Sequence, residues 1–333
     1  MTNTTLDITQ VLKFKPIFKE KLWGGQKLKT ILNKDYGNLP NCGETWEISG
    51  VEGNISIVEG GVHHGKSLTK LIEEYKADLL GEKVFKQFGT NFPLLIKFID
   101  ANADLSIQVH PDDSLAKKRH NSFGKTEMWY VVEADKDASL ISGFNQEMSK
   151  EKYLSYFNNG KLTEILNKEE AKQGDVFFLP AGRVHNIGKG LLIAEIQQTS
   201  DITYRIYDFD RKDSDGSLRK LHTDEALEAI DYRLYPEYKS PYTDRLEQVN
   251  QLISCSYFET NKLNLTKPLY RDYSNINSFR VLMFLEGKAT LHCHNESYSI
   301  KKGDVLLIPA KINSIEIVPS LSTTLLETYV PVD

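Results

Sequence analysis

A mainly β fold of the sandwich or barrel kind, built from two copies of one β-domain, is what this 333-residue sequence predicts. Three observations carry that expectation. Short strand-like runs dominate and are bounded by Gly, Pro, Asn and Asp, which turn a chain or end a ladder. Helical spacing is confined to a few short, peripheral stretches. An internal echo repeats one unit: Gly174-Asp175-Val176-Phe177-Phe178-Leu179-Pro180-Ala181 returns as Gly303-Asp304-Val305-Leu306-Leu307-Ile308-Pro309-Ala310. In each, a Gly-Asp turn feeds a buried strand that proline ends, because proline has no N–H for a ladder. Repetition of such a unit predicts two stacked or linked domains.

Taken in order, His63-His64 before Gly65 reads as an exposed turn. Leu68 to Leu80 has helical apolar spacing, with Ser67 as N-cap and Gly81 just beyond. Pro93 to Ile99 reads as a buried strand, and Asp112-Asp113 after Pro111 as turn and helix-cap chemistry. A helix over Ser149 to Phe157 is followed by strands at Val176–Leu179 and Leu191–Ile196. Arg211 to Gly216 reads as a solvated loop, with Arg211 in possible reach of a phosphate. A helix follows over Thr223 to Ile230. Pro236 to Asp244, with its Tyr-Pro and Ser-Pro breaks, is the candidate connection. That places one domain at 1–235 and a second β-domain at 245–333. The second holds the strand Val281–Leu285 and His292-Cys293-His294, read as a same-face but solvated pair.

Composition narrows the function. With 40% hydrophobic and 26% charged residues the chain can bury a real core. A net charge of −5 and no long basic run argue against nucleic acid. Cys42, Cys255 and Cys293 lie far apart, which fits a reducing cytoplasm rather than a disulfide scaffold. The segment Met1 to Asp7 lacks the charged start and apolar stretch of a signal peptide, and no apolar run spans a membrane.

Four residues stand out as metal ligands: Gln108, His110, Glu127 and His185. Gln108 and His110 are two apart in an apolar run, so on a strand both leave one face. Glu127 opens the strand-like Met128 to Val132, and His185 follows the strand ending at Pro180. Two imidazoles, a carboxylate and an amide oxygen suit zinc or another borderline divalent ion. The second copy has Asn313 near the place of His185 and is expected to hold no metal.

Leu22-Trp23-Gly24-Gly25, Gly43-Glu44-Thr45-Trp46-Glu47, Lys97, Leu105 to Pro111, Lys125-Thr126-Glu127 and Tyr204 to Asp208 resemble the type I mannose-6-phosphate isomerases. The similarity runs from about Phe14 to Arg211 and more weakly through the C-terminal domain. It implies a pair of cupin-type, jelly-roll β-barrels with a few peripheral helices and one zinc per chain, in a short form without a helical insertion. It places the catalytic arginine on Arg205, active-site lysines on Lys97 and Lys125, and a phosphate-contacting serine on Ser106. Longer members often carry His where this chain has Gly124, so a ring-opening role for that group does not carry over.

The implied reaction interconverts mannose 6-phosphate and fructose 6-phosphate through an enediolate, in a monomer or weak homodimer. Arg205 suits charge stabilisation, since guanidinium stays charged at working pH. Lysines act as acid or base only when their pKa is brought toward neutrality. Lys97 interrupts an otherwise apolar strand, so it either lines a polar cavity or snorkels to solvent. Lys125 is either on the ligand face or a surface loop lysine, and Arg205 either catalytic or bridged to an aspartate. Trp23 suits a pocket wall or core packing equally. An iron-dependent cupin oxygenase and a non-catalytic sugar-phosphate-binding cupin are the competing classes.

Overall fold

The computed structural model describes residues 7–213 and 216–331. The segment Met1 to Leu6, and Ser214 and Asp215 of the 211–216 loop, lie outside the described residues. The first strands are β1 (Leu12–Lys13), β2 (Ile17–Gly25), β3 (Cys42–Ile48), β4 (Leu94–Ala101), β5 (Ile107–Val109) and β6 (Glu127–Ala134). Then come β7 (Ser139–Phe144), β8 (Leu166–Glu170), β9 (Val176–Leu179), β10 (His185–Ile187), β11 (Leu191–Gln198) and β12 (Tyr204–Tyr207). The C-terminal part holds β13 (Val249–Ser254), β14 (Glu259–Leu265), β15 (Leu269–Asp272), β16 (Arg280–Glu286) and β17 (Lys288–Cys293). It ends with β18 (Glu296–Lys301), β19 (Val305–Ile308), β20 (Ser314–Pro319) and β21 (Thr323–Tyr329).

These strands form two sandwiches of the same plan. In the first, a wide sheet β2-β3-β4-β11-β6-β9 faces a narrow sheet β12-β5-β10-β7-β8. In the second, β1-β19-β16-β21-β14-β13 faces β15-β20-β17-β18. The fold is mainly β and of the cupin type, with open two-sheet sandwiches rather than one continuous hydrogen-bonded barrel in each. The echo falls on β9 and β19, each on the equivalent flank of its wide sheet. Strand β1 crosses between the units, since Leu12 and Lys13 pair with Leu307 and Leu306 at that flank.

The packing explains why the strands read as continuous apolar runs. Trp129 and Val131 of β6 point into the first sandwich with Ile99, Leu179 and Ile193. Met128, Tyr130 and Val132 point the other way, into a core shared with Val281, Met283 and Leu326 of the second unit. Both faces of each wide sheet are covered, so alternation disappears. The consequence for function is direct: a polar side chain on the inner face of β4, β6 or β11 enters an enclosed space between two sheets.

Several expectations change in detail. The single helix expected over Leu68 to Leu80 is two, Leu68–Tyr75 and Ala77–Leu80, because Lys76 takes φ +47° between them. Ser67 caps the first as expected, accepting from Lys70 N. Gly81 (φ +93°) then starts Glu82–Phe88, and a Cβ there would lie 2.4 Å from Asn277 O, so only glycine fits. Asp112 caps a helix at Asp113–His120 that has too few apolar residues to read as one. The helices Lys150–Asn158 and Thr223–Ala229 stand where expected. His63 is buried rather than exposed, because its ring packs edge-on against Tyr75 at 5.3 Å; His64 alone is in the open turn. The 236–244 connection is strapped to the first sandwich, with Lys239 Nζ 2.8 Å from Asp175 and the Tyr242 hydroxyl donating to Gly174 O. His292 and His294 do not share a strand face. The first lies within β17 with its ring bonded to Ser297, and the second turns the hairpin at φ +51°.

Candidate metal centre and cleft

The open end of the first sandwich gathers the four expected ligands. Glu127 comes from the inner face of β6; Gln108 and His185 sit opposite each other on β5 and β10; His110 follows β5 directly. The two imidazole rings are 4.8 Å apart, with His185 Nε2 3.3 Å and His110 Nε2 3.6 Å from the Glu127 oxygens. Among the described residues His110, Glu127 and His185 are the group of His, Cys, Asp or Glu placed to hold an ion, and all three are buried.

Hydrogen bonding fixes the tautomers. His110 Nδ1 is 2.9 Å from Ile202 O and His185 Nδ1 is 2.8 Å from Arg183 O. A carbonyl only accepts, so both Nδ1 atoms carry the proton and both Nε2 lone pairs face Glu127. Burial holds both imidazoles neutral, His110 well below the usual range and His185 down to about 3. Burial also raises Glu127, against the opposing pull of Lys125. Both Glu127 oxygens are buried without a well-directed hydrogen bond. A buried carboxylate so placed, facing two imidazole lone pairs, is the donor set that a divalent cation satisfies. The Gln108 amide lies beside these three, its Nε2 3.2 Å from His185 Nε2, and a flip of the amide would turn its oxygen to the same point.

Beside this centre lies a cleft of about 390 Å³ that includes Trp23, Lys97, Ser106, Gln108, Lys125 and Arg205 in its lining. The residues expected at the site are thus brought together. Lys125 is buried, with Nζ 3.0 Å from both Glu127 Oε2 and His110 Nε2, so it is no surface loop lysine. Lys97 is buried too and does not snorkel; its Nζ is 3.0 Å from Glu195 Oε1. Burial alone lowers its pKa, but Glu195 and Glu44 outweigh it and the net shift is upward. Lys97 is therefore a fixed cation, not a lysine brought toward neutrality. Arg205 makes no ion pair among the described residues; its Nη1 donates to Lys220 O and its Nε is buried without a partner. Trp23 serves both roles weighed for it, packing in the sandwich core and lining the cleft.

Other lining residues lie outside the ligand set and lysines expected from the sequence. Glu195 breaks the apolar run of β11 as Lys97 breaks that of β4, and the two are direct register partners. The argument applied to Lys97 could have found it. Glu44 is held at about 2, since Lys97, Lys21 and the Trp46 indole overcome the opposing effect of burial. Lys19, Lys21 and Arg219 also reach the cleft. Arg211 does not line it; Asp104 O and Asp208 occupy its guanidinium.

Comparison with known proteins agrees with this geometry. Residues 11–139 match the family described as phosphomannose isomerase type I, catalytic domain, and 248–325 match mannose-6-phosphate isomerase, cupin domain. Mannose-6-phosphate isomerase ManA of Bacillus subtilis is 38% identical over 307 residues, covering 90% of this chain and 93% of its own. This chain belongs to the type I mannose-6-phosphate isomerase family. The crystal structure of the mannose 6-phosphate isomerase from Bacillus subtilis superposes with TM-score 0.86 at 32% identity, over 96% of this chain and 99% of that one. A mannose 6-phosphate isomerase solved with zinc and yttrium shares the fold, with TM-score 0.77 at 16% identity over 97% and 100% of the two chains. Family membership displaces the oxygenase and non-catalytic readings. No helix among the described residues is long and apolar enough to cross a membrane.

Proposed function

We propose that this chain interconverts mannose 6-phosphate and fructose 6-phosphate, with one zinc per chain held by Gln108, His110, Glu127 and His185. The observation that supports it most is the pairing of a buried His-Glu-His cluster with an adjoining cleft rich in lysine and arginine. When bound, zinc polarises the sugar oxygens that gain charge as a proton moves between C1 and C2. Another divalent ion with the same donor preference is accommodated by this set.

The chain's own residues do the rest. Arg205, unpaired and fixed on β12 beside Gln108, is aimed to stabilise negative charge on the enediolate oxygens. Lys97, held by Glu195, is a second fixed donor for substrate oxygens. Lys125, packed against Glu127, is the residue assigned to carry a proton. Ser106 and Trp23 shape the wall against which the sugar lies. Domains at 1–235 and 245–333, a monomer or weak homodimer and a cytoplasmic setting belong to the same proposal, the last on three unpaired cysteines. A coupled assay on mannose 6-phosphate tests it: turnover should vanish with a chelator and return with added zinc. Full activity in chelator would defeat the metal assignment, and no activity in any metal would defeat the isomerase reading.

A further inference from the structure

Arg219 was singled out by no motif, yet it is built into the cleft wall with unusual care. Asp208, only 5% exposed, grips it with both carboxylate oxygens: Arg219 Nε is 2.6 Å from Oδ2, and Nη2 meets Oδ1. The same carboxylate anchors Arg211 at 2.6 Å, and Arg211 reaches on to Asp104 O. Asp208 is therefore the hub of a clamp, and one arm of that clamp ends in the cleft.

A bidentate grip uses Nε and one Nη of a guanidinium and leaves the second Nη edge unused. Arg219 and Arg205 both line the cleft; Arg205 Nη1 donates to Lys220 O, and Asp208 and Asp213 partly offset its charge. Asp208 offsets part of the charge of these guanidinium groups but is shared with Arg211, so the cleft keeps a positive excess that favours an anion. The planar fork of guanidinium matches phosphate oxygens better than an ammonium does.

We propose that Arg219 is a specificity-determining residue that binds the phosphate monoester end of the sugar, and that Asp208 is the positioning residue that aims it. This rests on the isomerase reading above and adds a residue to it. The contact is the same in the ground state and in the transition state, because the phosphate takes no part in the proton transfer. Its loss therefore falls on binding rather than turnover.

The test compares R219Q, R219K and D208N with the unaltered protein. A charge-assisted contact of this kind is worth about 10- to 100-fold in binding. R219Q should raise KM for mannose 6-phosphate by that factor, with kcat within about threefold. Calorimetric binding of sorbitol 6-phosphate, which cannot isomerise, should weaken by the same factor, while binding of unphosphorylated sorbitol stays unchanged. R219K should recover little, and D208N should shift KM in the same direction by less. The binding arm stands even if wild-type protein turns nothing over, so failure of the isomerase reading and failure of this one are separable. Unchanged sorbitol 6-phosphate affinity in a folded R219Q or R219K protein would overturn the proposal. So would a fall in kcat at constant KM, which would place Arg219 at the reacting atoms.

Discussion

The two sandwiches share a plan but not a centre. Leu179 and Ile308 stand at the same distance from their turn glycines, and they pair with Glu127 and Arg280 respectively. His185 opens β10 as Ser314 opens β20, so the equivalent of His185 is Ser314 rather than the neighbouring Asn313. Gln108 faces His185 across the narrow sheet, and Asp272 faces Ser314. Where the first sandwich presents a carboxylate flanked by neutral imidazoles, the second buries a guanidinium. Arg280 is fully enclosed, donates to the Tyr273, Ile276 and Ile312 carbonyls, and lies 4.2 Å over the Tyr273 ring. The difference teaches that one scaffold end serves two purposes. With ligand atoms it can hold an ion, and with an arginine it is closed by its own cation.

The widest expected gap between the units is in turnover. His110→Ala or His185→Ala removes a ligand and should cost more than the roughly 10- to 100-fold typical of disturbing a ligand's supporting partner. His292→Ala with His294→Ala should leave steady-state rates unchanged, and a comparable loss there would erase the distinction. Arg205→Ala should lower kcat by on the order of 100-fold with little change in KM, and Arg205→Lys should rescue poorly. A KM effect alone would move Arg205 to a binding role.

Stability sharpens the same contrast. Arg280→Met leaves three carbonyls without their buried donor and should cost about 2–4 kcal/mol in denaturant unfolding. Metal content and rate at low temperature should survive. In chelated protein, His185 binds a proton near pH 3 when folded but near 6.5 when unfolded. The unfolded chain thus binds more protons at this group between these values, so the His185 contribution falls as pH drops below about 6.5. Glu127, raised by burial to about 7, holds its proton more tightly when folded and acts in the opposite direction. The His185 share, about 2 kcal/mol at pH 5, is read as the difference in the pH dependence of urea midpoints between the unaltered protein and His185→Ala. His185→Ala should remove that contribution, and substitutions at His292 should not.

Much of this was readable in the chain because the informative residues violate their surroundings. A lysine inside Leu94 to Ile99 is costly unless it meets a partner, and the ligand motif carries its own spacing. Glu195 obeys the same logic and was equally readable. His63, Arg219 and the break at Lys76 were not. Their roles depend on contacts or backbone angles made by residues distant in sequence or set by local crowding. The same holds for Arg280: its guanidinium is satisfied by carbonyls at Tyr273, Ile276 and Ile312, and no side-chain pattern announces that.

Elemental analysis of three purified proteins tests the central contrast most directly. The unaltered chain and the His292→Ala, His294→Ala variant should each carry about one equivalent of divalent metal, and His185→Ala should lose most of it. Full metal retention in His185→Ala, or loss from the double variant, would contradict the assignment of the centre to the first sandwich.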